Sequence, residues 1–149
     1  MTILEAVHKI DTVKPNSYTQ PEKIKWLSTL DGIIKSEIID THEDGENVEF
    51  EGYDDETDLD TELLVPSPYD DVYVRWLEAR IDYANGEYGK YNNSMVAYND
   101  AYSLFSNYYN RKHMPKGKQF KYFGEPKHSH YQAANSLVKI AIEEDQAID

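Results

Sequence analysis

PYDDVYVRWLEARIDYANGEYGKYNNSMVAYNDAYSLFSNYYNRKHMP, residues 68–115, decides how this chain folds. Tyr69, Val72, Tyr73, Trp76, Leu77, Ile81, Tyr83 and Ala84 recur at steps that gather on one helix face. Asn85-Gly86 interrupts the pattern and Gly89 follows. The spacing then resumes through Tyr91, Met95, Tyr98, Tyr102, Phe105 and Tyr109 and stops before Pro115. Two glycines this close cost about 1 kcal/mol each relative to Ala, which disfavours a straight rod. The stretch therefore predicts two helices, roughly 68–86 and 87–112, kinked or folded back at Gly86. Ser67-Pro68 reads as the start of the first, a capping hydroxyl followed by proline, with Asp70 and Asp71 favouring the helix dipole.

Upstream, a short helix is expected over about 2–11, with Ile3, Val7 and Ile10 on one face and Leu4 beside them. Thr2 and Glu5 have the spacing of a capping box. Lys14-Pro15-Asn16-Ser17 breaks this helix, and a second should begin near Thr19 or Gln20 with Pro21 at an early position. Ile24, Leu27, Leu30, Ile34 and Ile38 form its stripe, widened by Trp26, Ile33 and Ile39, to an end near residues 40–42. Val48-Glu49-Phe50-Glu51 alternates as a strand does, and Thr61 to Val65 is a second extended candidate. The expectation is a mainly α protein, a small helical bundle, with a short β-hairpin-like excursion at about 47–65.

Downstream the charge reverses. Arg111, Lys112, Lys116, Lys118, Lys121 and Lys127 face a single acid, Glu125, and Gly117, Gly124 and Pro126 mark a linker. A last amphipathic helix is expected at about 131–146, carrying Ala134, Leu137, Val138, Ala141 and Ile142. The domain division expected is therefore 1–115 for the helical domain and 116–149 for a basic linker with a C-terminal helix.

The bulk composition narrows the function. A net charge of −13 opposes autonomous binding of nucleic acid, which needs clustered Lys and Arg. The absence of Cys excludes disulfides, thiolate zinc sites and cysteine nucleophiles. MTILEAVHKID carries acids and no long apolar core, so it does not read as a signal peptide, and no apolar run is long enough to span a bilayer. A soluble protein without a membrane partner is expected.

No motif offers catalysis. Asp54, Glu56 and Asp58 stand at every second residue, as in a calcium loop, but the sixth and twelfth positions hold Leu59 and Val65 where Gly and Glu are needed. His128 and His130 lack a third ligand nearby. There is no GxSxG, no phosphate-cradling glycine loop and no HExxH. Neither a metal nor a cofactor is expected, and the chain does not read as an enzyme. What remains is charge segregation: between Lys35 and Arg75 there is no Lys or Arg, while acids crowd the interval. Such a run is commonly a solvated loop. Alternatively, Asp54, Asp55, Glu56, Asp58, Asp60 and Glu62 of one subunit meet Arg111, Lys112, Lys116, Lys118 and Lys121 of a neighbour, a head-to-tail contact that closes into a ring by rotation.

The segments YDDETDLDTELLVP, PYDDVYVRWLEARIDYANGEY and YNNSM-x-x-YN-x-AY-x-x-F-x-x-YYNR-x-HMP resemble the head–tail connector proteins, adaptors or head-completion proteins, of tailed phages and prophages. PEKIKWLSTLDGIIKSEIIDTHE, from Pro21, fits their opening, so the resemblance covers about residues 1–115. It implies a small helical virion protein that is not an enzyme and forms a ring, commonly of about twelve subunits, beneath the portal. The implied partners are other copies of itself, the portal protein, and tail or further head-completion proteins. Double-stranded DNA would pass through without specific binding, since a carboxylate-rich wall repels phosphate. The implied location is the virion, with assembly in the host cytoplasm. A different class of reading, an acidic DNA mimic that occupies a host restriction factor, draws on the same −13 charge.

Overall fold

The computed structural model describes residues 1–117, nearly all of which belong to one unit, Met1–Lys116. The helix expected at about 131–146, and Lys118 and Lys121, lie outside the described residues. Four helices follow in order: α1 (Ile3–Val13), α2 (Gln20–Glu37), α3 (Asp71–Ala84) and α4 (Tyr88–Lys112), with 3-10 turns at Ile39–Thr41 and Gly45–Asn47. The protein is mainly α, a small helical bundle.

Each helix begins and ends for a local reason. In α1 the capping box forms, with Glu5 N–H donating to Thr2 Oγ1 at 3.2 Å and Thr2 N–H to Glu5 Oε2 at 2.9 Å. The helix runs to Val13 and yields to extended backbone at Lys14, as a residue before proline prefers. Thr19 caps α2, accepting from Glu22 N–H, and Pro21 sits in the first turn where its missing N–H costs nothing. Ile24, Leu27, Leu30 and Ile34 are buried along its inner face.

The start of α3 corrects the sequence expectation. Ser67 and Pro68 are the central residues of a turn closed by Tyr69 N–H to the Pro66 carbonyl at 2.9 Å. The helix begins at Asp71, its cap residue is Asp70, and no side chain caps it. A Ser-Pro pair marks a turn as readily as a helix start, and here Tyr69 N–H closes the turn onto the Pro66 carbonyl.

Between α3 and α4 the chain folds back rather than kinking. Gly86 takes φ +73°, its N–H donates to Tyr83 O at 3.0 Å, and Glu87 N–H donates to Asp82 O at 3.0 Å. These two bonds are the Schellman pattern, which satisfies the last carbonyls of α3 and reverses the chain at a left-handed residue. Antiparallel packing of the hairpin is read from its pairs: Ser94 donates to Asp82 at 2.6 Å, Trp76 meets Tyr98 at 5.1 Å, and Tyr69 stacks on Tyr108 at 4.5 Å. α2 runs antiparallel to α3, with Trp76 Nε1 donating to the Trp26 carbonyl at 2.8 Å.

The strand-pair expected at about 47–65 is not found; no strand forms among the described residues. The extended segment instead completes α1. Ile3 N–H donates to Thr61 O at 3.1 Å and Leu4 N–H to Leu59 O at 3.0 Å, while Leu63 N–H donates to Met1 O at 3.0 Å. The first N–H groups of any helix lack internal partners. Loop carbonyls supplied from sixty residues away meet that need better than a marginal hairpin would. A second clip joins the ends of α2 and α4: Glu43 N–H donates to Met114 O and Lys116 N–H to Thr41 O, both at 3.0 Å. Beside it, buried His42 places Nδ1 2.7 Å from the Ile38 carbonyl and Nε2 2.9 Å from Asn110 Oδ1.

Inside the bundle Asp82 is buried and engages Lys14 and Ser94. Burial opposes its ionisation, but the Lys14 ammonium and Ser94 hydroxyl outweigh that and hold the carboxyl below its ordinary value. Its contribution to stability is therefore complete above the ordinary carboxylate range and lost as pH falls through the lowered value. Replacing Asp82 with Asn is expected to destabilise the fold by about 2 kcal/mol at neutral pH and to flatten the acid limb, read by urea denaturation from pH 7 down to 3.

Two glycines provide a contrast. A methyl on Gly86 meets nothing within 4 Å, so Gly86→Ala should cost only the left-handed conformation, about 1 kcal/mol. On Gly45 the same methyl falls 2.1 Å from the Ile39 carbonyl oxygen, which is backbone. Gly45→Ala should therefore destabilise more than Gly86→Ala in the same denaturation experiment.

Candidate functional site

The acidic stretch is the part of the chain whose chemistry the fold does not consume. It is reached through Gly52, whose φ is +101°, and Tyr53 N–H then donates to Ser28 Oγ on α2 at 2.9 Å. Phe50 and Tyr53 meet edge to face at 5.2 Å beside Gly32. From there the loop is built of short side-chain-to-backbone turns. Asp54 Oδ1 accepts from Glu56 N–H at 2.9 Å and from Thr57 Oγ1 at 3.1 Å, while Thr57 Oγ1 accepts from Asp54 N–H at 2.9 Å. Asp58 Oδ1 accepts from Asp60 N–H at 3.0 Å. These are the local bonds that make Asp and Thr favourable outside helices.

The loop is anchored at both ends by one buried carboxylate. Asp31, fully buried on α2, accepts from Tyr53 Oη at 2.6 Å, from Tyr73 Oη at 2.6 Å and from Leu64 N–H at 3.2 Å. Tyr73 Oη in turn accepts from Val65 N–H at 2.8 Å. Burial raises the Asp31 carboxyl above its usual range, opposed by the three hydrogen bonds. Burial, reinforced by the adjacent Asp31 charge, pushes both tyrosine hydroxyls far above theirs, so they remain donors at any working pH.

The predicted site residues separate into two groups. Asp54, Asp55, Glu56, Asp58 and Asp60 are exposed on the loop, and no ion pair among the described residues reaches any of them. Glu62 is exposed but pairs with the Met1 amino group at 3.2 Å. Arg111 and Lys112 stand exposed in the last turn of α4, with Lys116 just beyond. Within the described residues the two groups do not meet. An open cleft of about 740 Å³ lies between the loop at Tyr53–Glu56 and the start of α2, with Glu22 and Lys25 on its far wall. Among the described residues no three His, Asp or Glu groups converge as metal ligands, and no helix is long and apolar enough to cross a membrane.

Asp31 was not anticipated as the anchor. The signal was present, because Asp31 falls in the apolar stripe of α2 between Leu27 and Ile34, where a carboxylate needs a buried partner. No protein-family model, curated protein or solved structure matches the chain.

Asp31→Ala leaves the Leu64 N–H and two tyrosine hydroxyls without their acceptor and is expected to cost about 3 kcal/mol. The loop amides of residues 53–65 should lose hydrogen-exchange protection more than those of α4. The pH dependence has a definite sign. With its folded value raised, ionised Asp31 is a burden at neutral pH that is relieved as pH falls through that value. The stability of wild type relative to Asp31→Asn should therefore rise as pH falls from 7 toward the ordinary carboxylate value, read by urea denaturation.

Proposed function

We propose that this chain is a structural component of the head–tail junction of a tailed phage, a ring-forming connector between portal and tail. The observation that carries the reading is the acidic loop. Asp54, Asp55, Glu56, Asp58 and Asp60 are exposed, have no cationic partner among the described residues, and stand on backbone fixed by Asp31. A fixed surface of unneutralised carboxylates suits one of two structural tasks: repelling passing phosphate, or docking on a neighbouring subunit. The resemblance of the loop, the hairpin helices and the Pro21 segment to connector proteins supplies the setting.

On this reading the protein assembles with copies of itself, with the portal protein and with tail or further head-completion proteins. It carries no catalytic site and no cofactor, and DNA passes it without being held. It resides in the virion after assembly in the host cytoplasm. Native mass spectrometry of the full chain with the cognate portal should detect a complex or a higher homo-oligomer. If neither appears at any concentration, the reading fails.

The DNA-mimic alternative rests on the −13 charge. A mimic needs carboxylates spread over a face at phosphate-like spacing, whereas these are concentrated in one loop. Capture from infected host lysate should recover portal and tail proteins; recovery of a nuclease instead would favour mimicry.

A further inference from the structure

Arg80, on α3, is held in an aromatic box. Its guanidinium carbon lies 5.9 Å from the Trp26 ring centre, 5.5 Å from Trp76 and 5.8 Å from Tyr83. Such contacts hold a cation over the ring faces and fix its direction. Yet Arg80 Nε is buried without a hydrogen-bond partner, and no described carboxylate pairs with the guanidinium. Lys14, Lys23, Lys35, Arg75 and Lys90 each pair with a carboxylate. Among the other described cations Lys9, Lys25, Arg111, Lys112 and Lys116 also lack a carboxylate, but only Arg80 of the described residues lies over aromatic rings. A chain with 28 acids thus leaves this arginine, a five-donor fork, without an acceptor among the described residues.

The surface around it is aromatic. Tyr83 is 49% exposed and Tyr88 61% exposed; Tyr83 meets Tyr88 at 5.8 Å and Tyr91 at 5.2 Å. Trp26 and Trp76 form the buried floor of the box, while exposed Tyr83 and Tyr88 beside Arg80 are of the residue types that dominate binding energy at interfaces. The terminal nitrogens of a guanidinium held in place, with no carboxylate partner among the described residues, suit an incoming carboxylate.

We infer that the Arg80 box is a docking surface for the acidic loop, residues 54–60, of a second copy of this chain. The inference rests on the self-assembling reading above and specifies its contact. Charge complementarity selects the occupant: the loop holds carboxylates without cations, and the box holds a cation without carboxylates. The loop turns are already formed in the single chain, so docking orders little backbone. The two surfaces also lie on different sides of α2. Ser28 and Gly32 face the loop, while Trp26 faces the Arg80 box. At 3.6 residues per turn those faces are roughly 140° apart. A contact between unlike surfaces is head-to-tail, and it closes as a ring or continues as a filament.

The test uses the full chain. Arg80→Glu should weaken self-association about 30-fold or more by sedimentation velocity, the scale of an interface hot spot. A loop variant carrying Asp55→Lys, Glu56→Lys and Asp60→Lys should do the same. Mixing the two should restore association, which a misfolded Arg80→Glu chain would not permit. The cysteine-free sequence allows trapping of a weak contact. Asp55→Cys and Tyr88→Cys copies should cross-link with each other on oxidation, whereas Asp55→Cys and Asn99→Cys copies should not.

If wild type associates and neither charge reversal weakens it, the inference is overturned while the assembly reading stands. If Arg80→Glu weakens association but the loop variant neither mimics nor rescues it, the box receives a different acidic partner and the second-copy contact is wrong. If wild type does not associate, alone or with portal, and the Asp55→Cys and Tyr88→Cys copies do not cross-link, both readings fall.

Discussion

One carboxylate ties the described structure together. Asp31 accepts a hydrogen bond from Tyr53 before the acidic run, from Leu64 after it, and from Tyr73 on α3. Three parts of the chain therefore share a single acceptor on α2. A buried carboxylate with no cation beside it is tolerable only when its lone pairs are filled, and here two hydroxyls and an amide fill them. The carboxylate also leaves the loop little conformational choice. Both loop ends are fastened to the bundle, and the short Asx turns at Asp54 and Asp58 fix what lies between.

The abundance of tyrosine follows the same logic. Tyr73 is fully buried and places its hydroxyl on Asp31. Tyr102 reaches from α4 to Glu37 at 2.7 Å, and Tyr98 packs on Trp76, its hydroxyl pushed up to about 12 chiefly by burial. Phenylalanine at 73 would bury as much ring but leave Asp31 one donor short. The hairpin of α3 and α4 is held by ring contacts along its inner face and by the Asp82 cluster near its tip. Tyr83 and Tyr88, at the same tip, remain open to solvent. The aromatic content thus serves both interior packing and an exposed surface.

The charge distribution gives the molecule two unlike sides. Acids are gathered on a loop that needs none of them for its anchoring, apart from the turn-forming Asp54 and Asp58. Five of the described cations are paired within the bundle, while Arg80 stands apart among rings.

Much of the helical plan was legible in the residues. Thr2 with Glu5 specifies the start of α1, Thr19 with Pro21 the start of α2, and Asn85-Gly86 the break between α3 and α4, because capping and left-handed glycine are local chemistry. Ser67-Pro68 misled, since the same dipeptide suits a tight turn, here closed by Tyr69 N–H onto the Pro66 carbonyl. The extended segments at 48–51 and 61–65 misled for a related reason. Alternation indicates extended backbone but names no partner, and for the second segment the partner proved to be the start of α1. The sequence by itself determined the helices, the turn at Gly86 and the gathering of the acidic run at 54–62 outside the helices. Only the tertiary structure decided that Asp31 anchors the loop and that Arg80 stands among three rings. Both are meetings of side chains far apart in the chain, and no local periodicity encodes such a meeting.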